Sequence, residues 1–223
     1  MVKKEELEEC DSIQIEINNL IDEYDEISGK YFKNINEYID IQRVEFKGCY
    51  FENVKLQESR MISTDFTNCV FKNVDLSGCN FSESIFSNVM FENCKLEGAI
   101  FTEGRIIDTK FEDIVGRVCN FSGSKLKNVN FINDNLLSAY FQNNEFIKVE
   151  FNNCNLGSVN FFDTKLNRID FRNSNIEGCS FKLNDVKGMI VTPLQAVEIS
   201  KITGIIVKWE LYIILKMCYN RKS

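Results

Sequence analysis

Histidine is absent from this 223-residue chain, and proline occurs once, at Pro193. Without histidine the commonest general base and the commonest zinc ligand are missing, which removes Ser-His-Asp triads, paired-histidine metal sites and histidine phosphoryl relays together. No Gly-rich phosphate loop, nucleophile elbow or metal-spaced cluster replaces them, so the chain is read as non-enzymatic, with no cofactor and no metal. A basic face is lacking too. Thirty-three acids against 26 bases give a formal net charge of −7, the wrong sign for direct nucleic-acid binding through phosphates. Long hydrophobic runs are missing as well: the most apolar stretch, Ile205 to Met217, holds Lys208, Glu210 and Lys216 and is too short to cross a bilayer. No membrane association is expected. Behind Met1-Val2-Lys3-Lys4-Glu5-Glu6 there is no apolar leader core. The expectation is a cytoplasmic protein whose nine cysteines stay reduced.

What the chain has in excess is phenylalanine, 19 residues of it. Steps of five from Phe46 give Phe46, Phe51, Leu56, Met61, Phe66, Phe71 and so on to Phe181, Val186 and Val191, and every phenylalanine except Phe32 and Phe162 lies on this frame. Two residues earlier runs a small or β-branched column, Val44, Cys49, Val54, Ser59, Thr64, Cys69, which absorbs every cysteine but Cys10 and Cys218. Buried free cysteine behaves as a small hydrophobe, so this usage, including the stacked Cys49 and Cys69, is packing. Cys10 and Cys218 have no base nearby in the sequence to activate them. Two residues after the frame, Gly48, Asn53, Asn68, Asn73 and Gly78 begin a column of turn formers that tolerate left-handed backbone. A period of five fits neither an ordinary helix nor a strand, so the chain must turn a corner every five residues.

Segments such as Cys79-Asn80-Phe81-Ser82-Glu83 and Cys154-Asn155-Leu156-Gly157-Ser158 resemble the pentapeptide-repeat family. The resemblance covers roughly residues 40 to 191 and implies an all-β solenoid, a right-handed quadrilateral β-helix with four pentapeptides per coil. The sequence supports the 20-residue coil on its own terms. Every twentieth residue from Phe51 to Phe171 is Phe, while the next side reads Leu56, Leu76, Leu96, Gly116, Leu136, Leu156, Ile176. With neighbours about 4.8 Å apart, about 7.5 coils make a rod of roughly 36 Å. One place breaks the pattern: Gly116 interrupts the Leu ladder, and Asp134 takes an inward position one coil on, where an unpaired carboxylate is costly. Either a local bulge turns Asp134 outward or onto Arg117, or the defect is a notch for a partner or ion.

Three regions follow. Residues 1–39 are expected as an acidic helical cap, with Ile13, Ile17, Leu20, Ile21, Tyr24 and Ile27 at helical spacing and Gly29 as the stop. Residues 40–191 are the β-helix. Residues 192–223 open with Thr192 as N-cap, Pro193 at the first helical position and Gln195 closing a capping box, reach Gly204, and continue into an apolar tail that packs on the rod or meets another subunit.

The stretch Asp185–Val191, Gln195-Ala196 and Gly204-Ile205-Ile206-Val207 is similar to the closing segment of the quinolone-resistance (Qnr and MfpA) type within that family. That resemblance implies a symmetric homodimer through Gln195, Ala196, Ile199, Ile202, Ile205 and Val207. It also implies an acidic, DNA-like rod that binds type II topoisomerases, DNA gyrase or topoisomerase IV, and protects them from quinolones. The charge is placed unevenly for that role. Residues 1–40 hold twelve acids and four bases, residues 41–193 nineteen and seventeen, and residues 194–223 two and five. The most acidic side of the rod carries Glu52, Glu92, Glu112, Glu150 and Asp170, diluted by Lys72, Lys110 and Arg172. Another side, at Asn80, Ser82, Asn120, Ser122, Asn160 and Ser180, is almost uncharged. Two functions therefore stand side by side: a protein-interaction rod with an unknown partner, and a topoisomerase-binding DNA mimic.

Overall fold

The computed structural model describes residues 2–20 and 26–208, and the coil predicted from the five-residue frame is there. Parallel ladders begin at Glu45↔Asp65, Tyr50↔Val70, Lys55↔Asp75 and Arg60↔Asn80, each joining residues 20 apart and each offset by five from the last. One coil therefore closes after four pentapeptides. The pairing continues to Asp170↔Ile190. Strands Lys125–Ile132 and Glu145–Asn152 continue through one corner, turning at left-handed Asn128 and Lys148, and pair on both sides of it, so the ladders of two adjacent sides join in one sheet.

The corners explain the third column. Positive φ recurs at five-residue spacing through Asn53, Asn68, Asn73, Gly78, Asn88 and Asn93, the residues best suited to left-handed backbone. Val118 also sits there, at φ 52°, where its branched Cβ is strained, and its side chain is half exposed.

Inside, two phenylalanine stacks run along opposite sides of the coil, ten residues apart in each turn. Phe71, Phe91, Phe111 and Phe131 follow one another at centroid spacings of 4.8 Å with rings within 10° of parallel. The second stack runs through Phe101, Phe121 and Phe141, also at 4.8 Å. The stacks meet edge to face: Phe111 and Phe121 are 5.9 Å apart at 84°. Offset-parallel and T-shaped contacts are the favoured aromatic geometries, each adding about 0.5–1.5 kcal/mol beyond area burial.

The N-terminal end differs from expectation. Among the described residues of the expected helix, Ile13–Asn18 (α1) is α-helical; Ile21 and Tyr24 lie outside the described residues, and Ile27 is a strand residue. Strands Glu26–Ser28 (β2) and Lys30–Lys33 (β3) form a further coil, with Ile27 opposite Phe46 and Phe32 opposite Phe51, a register of 19. The register becomes 20 at Ile41↔Met61, because Ile35 to Ile39 spans one residue fewer than Val54 to Ser59. That single missing residue puts Ile27 and Phe32 out of phase with the frame, although Phe32 is as buried as any ladder ring. Strand Glu8–Cys10 (β1) then pairs with β3 and covers the sheet edge, while α1 lays Ile13 into the core. Ser12 caps Ile15 N, the Glu37 carboxylate accepts Ile13 N at 2.9 Å, and Lys30 bridges Glu8 and Glu16.

At the other end Pro193–Ser200 (α2) carries the predicted capping box between Thr192 and Gln195, and Gly204 ends the following turn in left-handed conformation. Among the described residues no helix is long and apolar enough to cross a membrane.

Phe111→Ala removes a ring held between two parallel neighbours and two perpendicular ones; we expect a loss of about 3–5 kcal/mol in denaturant melts. Val118→Asn relieves the left-handed strain without touching the core, and the same melts should show a gain of about 0.5–1 kcal/mol.

Candidate interaction surfaces

The inward small column is a hydrogen-bonding device. At a corner, the carbonyl of a core residue and an amide nitrogen both need partners inside the rod, and one short side chain serves them. Cys79 Sγ donates to Leu56 O at 2.8 Å, Ser84 Oγ to Met61 O at 3.0 Å and Ser124 Oγ to Phe101 O at 2.6 Å, each 23 residues back. Where the side chain is a hydroxyl it also accepts, Thr64 N donating to Ser84 Oγ and Gly104 N to Ser124 Oγ, both at 3.0 Å. Burial pushes the thiols of Cys79, Cys94 and Cys154 up to about 12, so they are not poised as nucleophiles. Cys10 is likewise raised, to about 11, by burial and then by Glu16, and Cys218 lies outside the described residues.

Asp134 occupies this column. Its carboxyl is buried, neither turned outward nor paired with Arg117: one oxygen accepts Ile114 N at 2.8 Å and the other Ile132 N at 3.1 Å. The expected bulge is absent because the carboxylate takes over the accepting half of a hydroxyl's task. Gly116 opens no notch either; Leu136 and Cys119 close on it, and a Cβ there would meet Leu136 Cδ2 at 3.1 Å. Among the described residues no group of three His, Cys, Asp or Glu is placed to hold a metal. What an ionised Asp134 cannot do is donate. Burial accordingly raises its carboxyl from 3.8 to about 7, against the lowering effect of the two amides and with a small further push from Asp113 and Glu112. Asn144, in the same column, shows the amide solution: its Nδ2 donates to Phe121 O at 2.8 Å, leaving only its Oδ1 unpartnered.

On the acidic side, the structure pairs most of the carboxylates. Lys72 reaches Glu92 at 2.7 Å, Lys110 reaches Glu112 at 2.7 Å, and Arg172 grips Asp170 with Nε and Nη2 at 2.9 and 2.7 Å. Glu52 receives Lys4 at 3.2 Å and the Tyr31 hydroxyl. The Arg172 hydrogen bond holds Asp170 below the usual carboxylate range, and Tyr31, then Lys4, do the same for Glu52. Only Glu150 of the five lacks a basic partner among the described residues; its contact is Asn152 Nδ2 at 3.4 Å. Four of the five carboxylates of the acidic side are thus held in ion pairs.

Of the C-terminal candidates, Gln195 is occupied within its own chain. Besides the capping box, its Nε2 donates to Phe171 O at 2.8 Å and Ser174 O at 2.9 Å, standing in for a further coil. Ile199 packs against the end of the core. Ala196, Ile202, Ile205 and Val207 are exposed, as are Leu194 and Ile206, the last at 83%.

The side built on Phe81 to Phe181 has a different surface. Every twentieth residue from Asn80 to Ser180 and from Ser82 to Phe162 is uncharged, and so is the corner row from Gly78 to Gly178. Asn80, Asn120 and Asn160 each turn Oδ1 to the backbone amide two residues on, at 3.0 Å, leaving the Nδ2 groups with no hydrogen-bond partner among the described residues. Tyr140 and Phe162, from neighbouring coils, stand out at 42% and 40% exposure. Phe162 is off the five-residue frame because it points away from the core.

This architecture, parallel coils of four pentapeptides around stacked rings, defines a β-solenoid. A model described as a pentapeptide repeat region matches residues 39–115, 64–141 and 84–161, a second of pentapeptide repeats matches 154–182, and the chain belongs to the pentapeptide-repeat family. Among solved structures it is similar to HetL, a pentapeptide-repeat protein involved in heterocyst differentiation regulation from the cyanobacterium Nostoc, at 10% identity over 75% of this chain and 90% of that one, TM-score 0.39. It is also similar to full-length QnrB1, a plasmid-mediated fluoroquinolone resistance protein, at 19% identity over 89% and 95%, TM-score 0.25. No curated protein matches.

Asp134 makes stability pH-dependent. The folded chain keeps a proton that the unfolded chain releases above 3.8, so stability falls as pH rises from about 4 to about 7 and stays reduced above that. Asp134→Asn, able to adopt the Asn144 arrangement, should raise stability by about 2–4 kcal/mol at pH 8 and little at pH 4, read from denaturant melts at both values.

Proposed function

We propose that this chain is a non-enzymatic protein-interaction rod of the cytoplasm, acting through the outer surface of its coils. The observation that carries the reading is the pairing of Glu92, Glu112 and Asp170 with Lys72, Lys110 and Arg172 on the most acidic side. A DNA mimic must present an uncompensated negative field to a partner built to hold phosphates. Exposed ion pairs present almost none, and salt screens the remainder. The competing reading, a gyrase- or topoisomerase IV-binding mimic, draws on the overall charge of −7 and the likeness of the C-terminal segment. A gyrase supercoiling and cleavage assay with purified full-length protein, with and without a fluoroquinolone and at two salt concentrations, separates them. No effect at micromolar protein is the expected result; restored supercoiling or salt-sensitive inhibition would establish the mimic instead.

A homodimer is part of the proposal. Exposed Leu194, Ile202, Ile205, Ile206 and Val207 make an apolar end that a second copy would cover. Ile205→Glu should halve the mass found by light scattering, and an unchanged mass would remove this interface.

A further inference from the structure

We propose that the uncharged side bearing Tyr140 and Phe162 is the docking surface for a protein partner whose contact face has an uncharged, partly apolar centre ringed by lysine or arginine. The inference rests on the interaction-rod reading and names the surface and the chemistry that reading leaves open.

Three observations carry it. The first is the absence of charge over an extended area. In a chain that is 26% charged, the Asn80–Ser180 row and the adjoining corner are neutral over five coil steps, roughly 24 Å at the ~4.8 Å spacing of parallel strands, and the Ser82–Phe162 row is neutral over four. The second is what replaces charge. Among the exposed large apolar residues of the coils, Val118, Tyr140 and Phe162 lie on this side or the corner that leads to it. Charge-depleted ground with aromatic anchors is the composition of a protein interface core, whereas bulk surface has no such depletion. Around the anchors, the amide donors of Asn120 and Asn160 are held outward by their own turns, ready for backbone carbonyls of a partner.

The third observation fixes the partner's sign. Carboxylates border the neutral area at Glu58 at one end of the corner row, at Glu97 and Glu177 on one flank and at Glu83 and Glu103 on the other, all exposed and none in an ion pair among the described residues. The cations at the two ends are committed, Arg60 to Asp40 and Lys182 to Asp163, which leaves Arg117 as the one basic rim group outside a described pair. A rim of this sign repels a second copy laid face to face and attracts a partner with basic residues around its contact centre. The contrast with the opposite side is direct: there Glu92, Glu112 and Asp170 are paired with Lys72, Lys110 and Arg172.

The test places a photo-reactive benzoylphenylalanine in the full-length chain, at Ser122 or Gln142 on the proposed surface and at Asn130 or Asn152 on the opposite side, in cells of the source organism. The expected result is one adduct, from Ser122 and Gln142 only, whose cross-linked peptide lies on a surface with Lys or Arg around it. That protein, purified, should bind the wild-type chain and lose about tenfold or more in affinity with Tyr140→Glu plus Phe162→Glu, both exposed and outside the core. Glu97→Lys plus Glu177→Lys should weaken binding several-fold and flatten its salt dependence. An adduct whose mass is twice that of the chain overturns the proposal in favour of self-association. Adducts from Asn130 or Asn152 alone, or tighter binding on reversal of the rim charges, overturn the surface or its partner chemistry while leaving the interaction rod standing. No adduct from any of the four positions removes both.

Discussion

The structure depends on one constraint: from Ile41 onward each coil must close after 20 residues so that its amides meet the coil beside it. Everything else is arranged to make that closure cheap. Left-handed residues turn the corners, large side chains fill the interior, and in many repeats a short donor at the inward position satisfies a backbone carbonyl of the preceding coil. Cys79, Ser84 and Ser124 perform that last task with different atoms, which is why the column mixes thiols and hydroxyls. Cysteine there is chosen for size and a weak donor. Burial takes away the reactivity that its number in the sequence suggests.

The same repetition that fixes the interior leaves the outside free to vary. Positions flanking each core residue face outward and recur every coil, so a row can be acidic, alternating or neutral with no consequence for folding. In this chain alternation on one side produces ion pairs across a coil step, as between Lys72 and Glu92. Neutral rows on another side produce a broad surface with two protruding rings. A likeness in backbone to other pentapeptide-repeat proteins therefore carries little about partners; the distribution of charge over the sides carries more.

Much of the fold was legible because its period is unusual. A five-residue frame with Phe or Leu at every fifth position has few physical realisations, and the 20-residue segregation of Phe from Leu gave the coil size. The C-terminal cap was legible because Thr192, Pro193 and Gln195 each do something specific at a helix start. The first coil was not, since one missing residue before Ile39 shifts Ile27 and Phe32 out of phase; two apolar residues five apart, displaced by one, were the available signal. A helical spacing of isoleucines masks that signal, although among the described residues of that stretch the α-helix is confined to Ile13–Asn18. Asp134 was recognised as inward but not as an acceptor for backbone amides, because sequence alone does not show that Ile114 and Ile132 present their N–H groups to it. The pairing of the acidic side was hidden for a similar reason: whether Lys110 dilutes a carboxylate or grips it depends on a distance.

Gln195 has a consequence for how such a rod ends. A solenoid is, in principle, an open template: its last coil offers the same row of carbonyls that every earlier coil offered to its successor, and another molecule could take the successor's place. The Gln195 amide fills two of those positions, Phe171 O and Ser174 O, from within the chain. A single side chain thereby acts as a length terminator, setting where the stack stops and withholding from a second rod the first bonds of an end-to-end fibre.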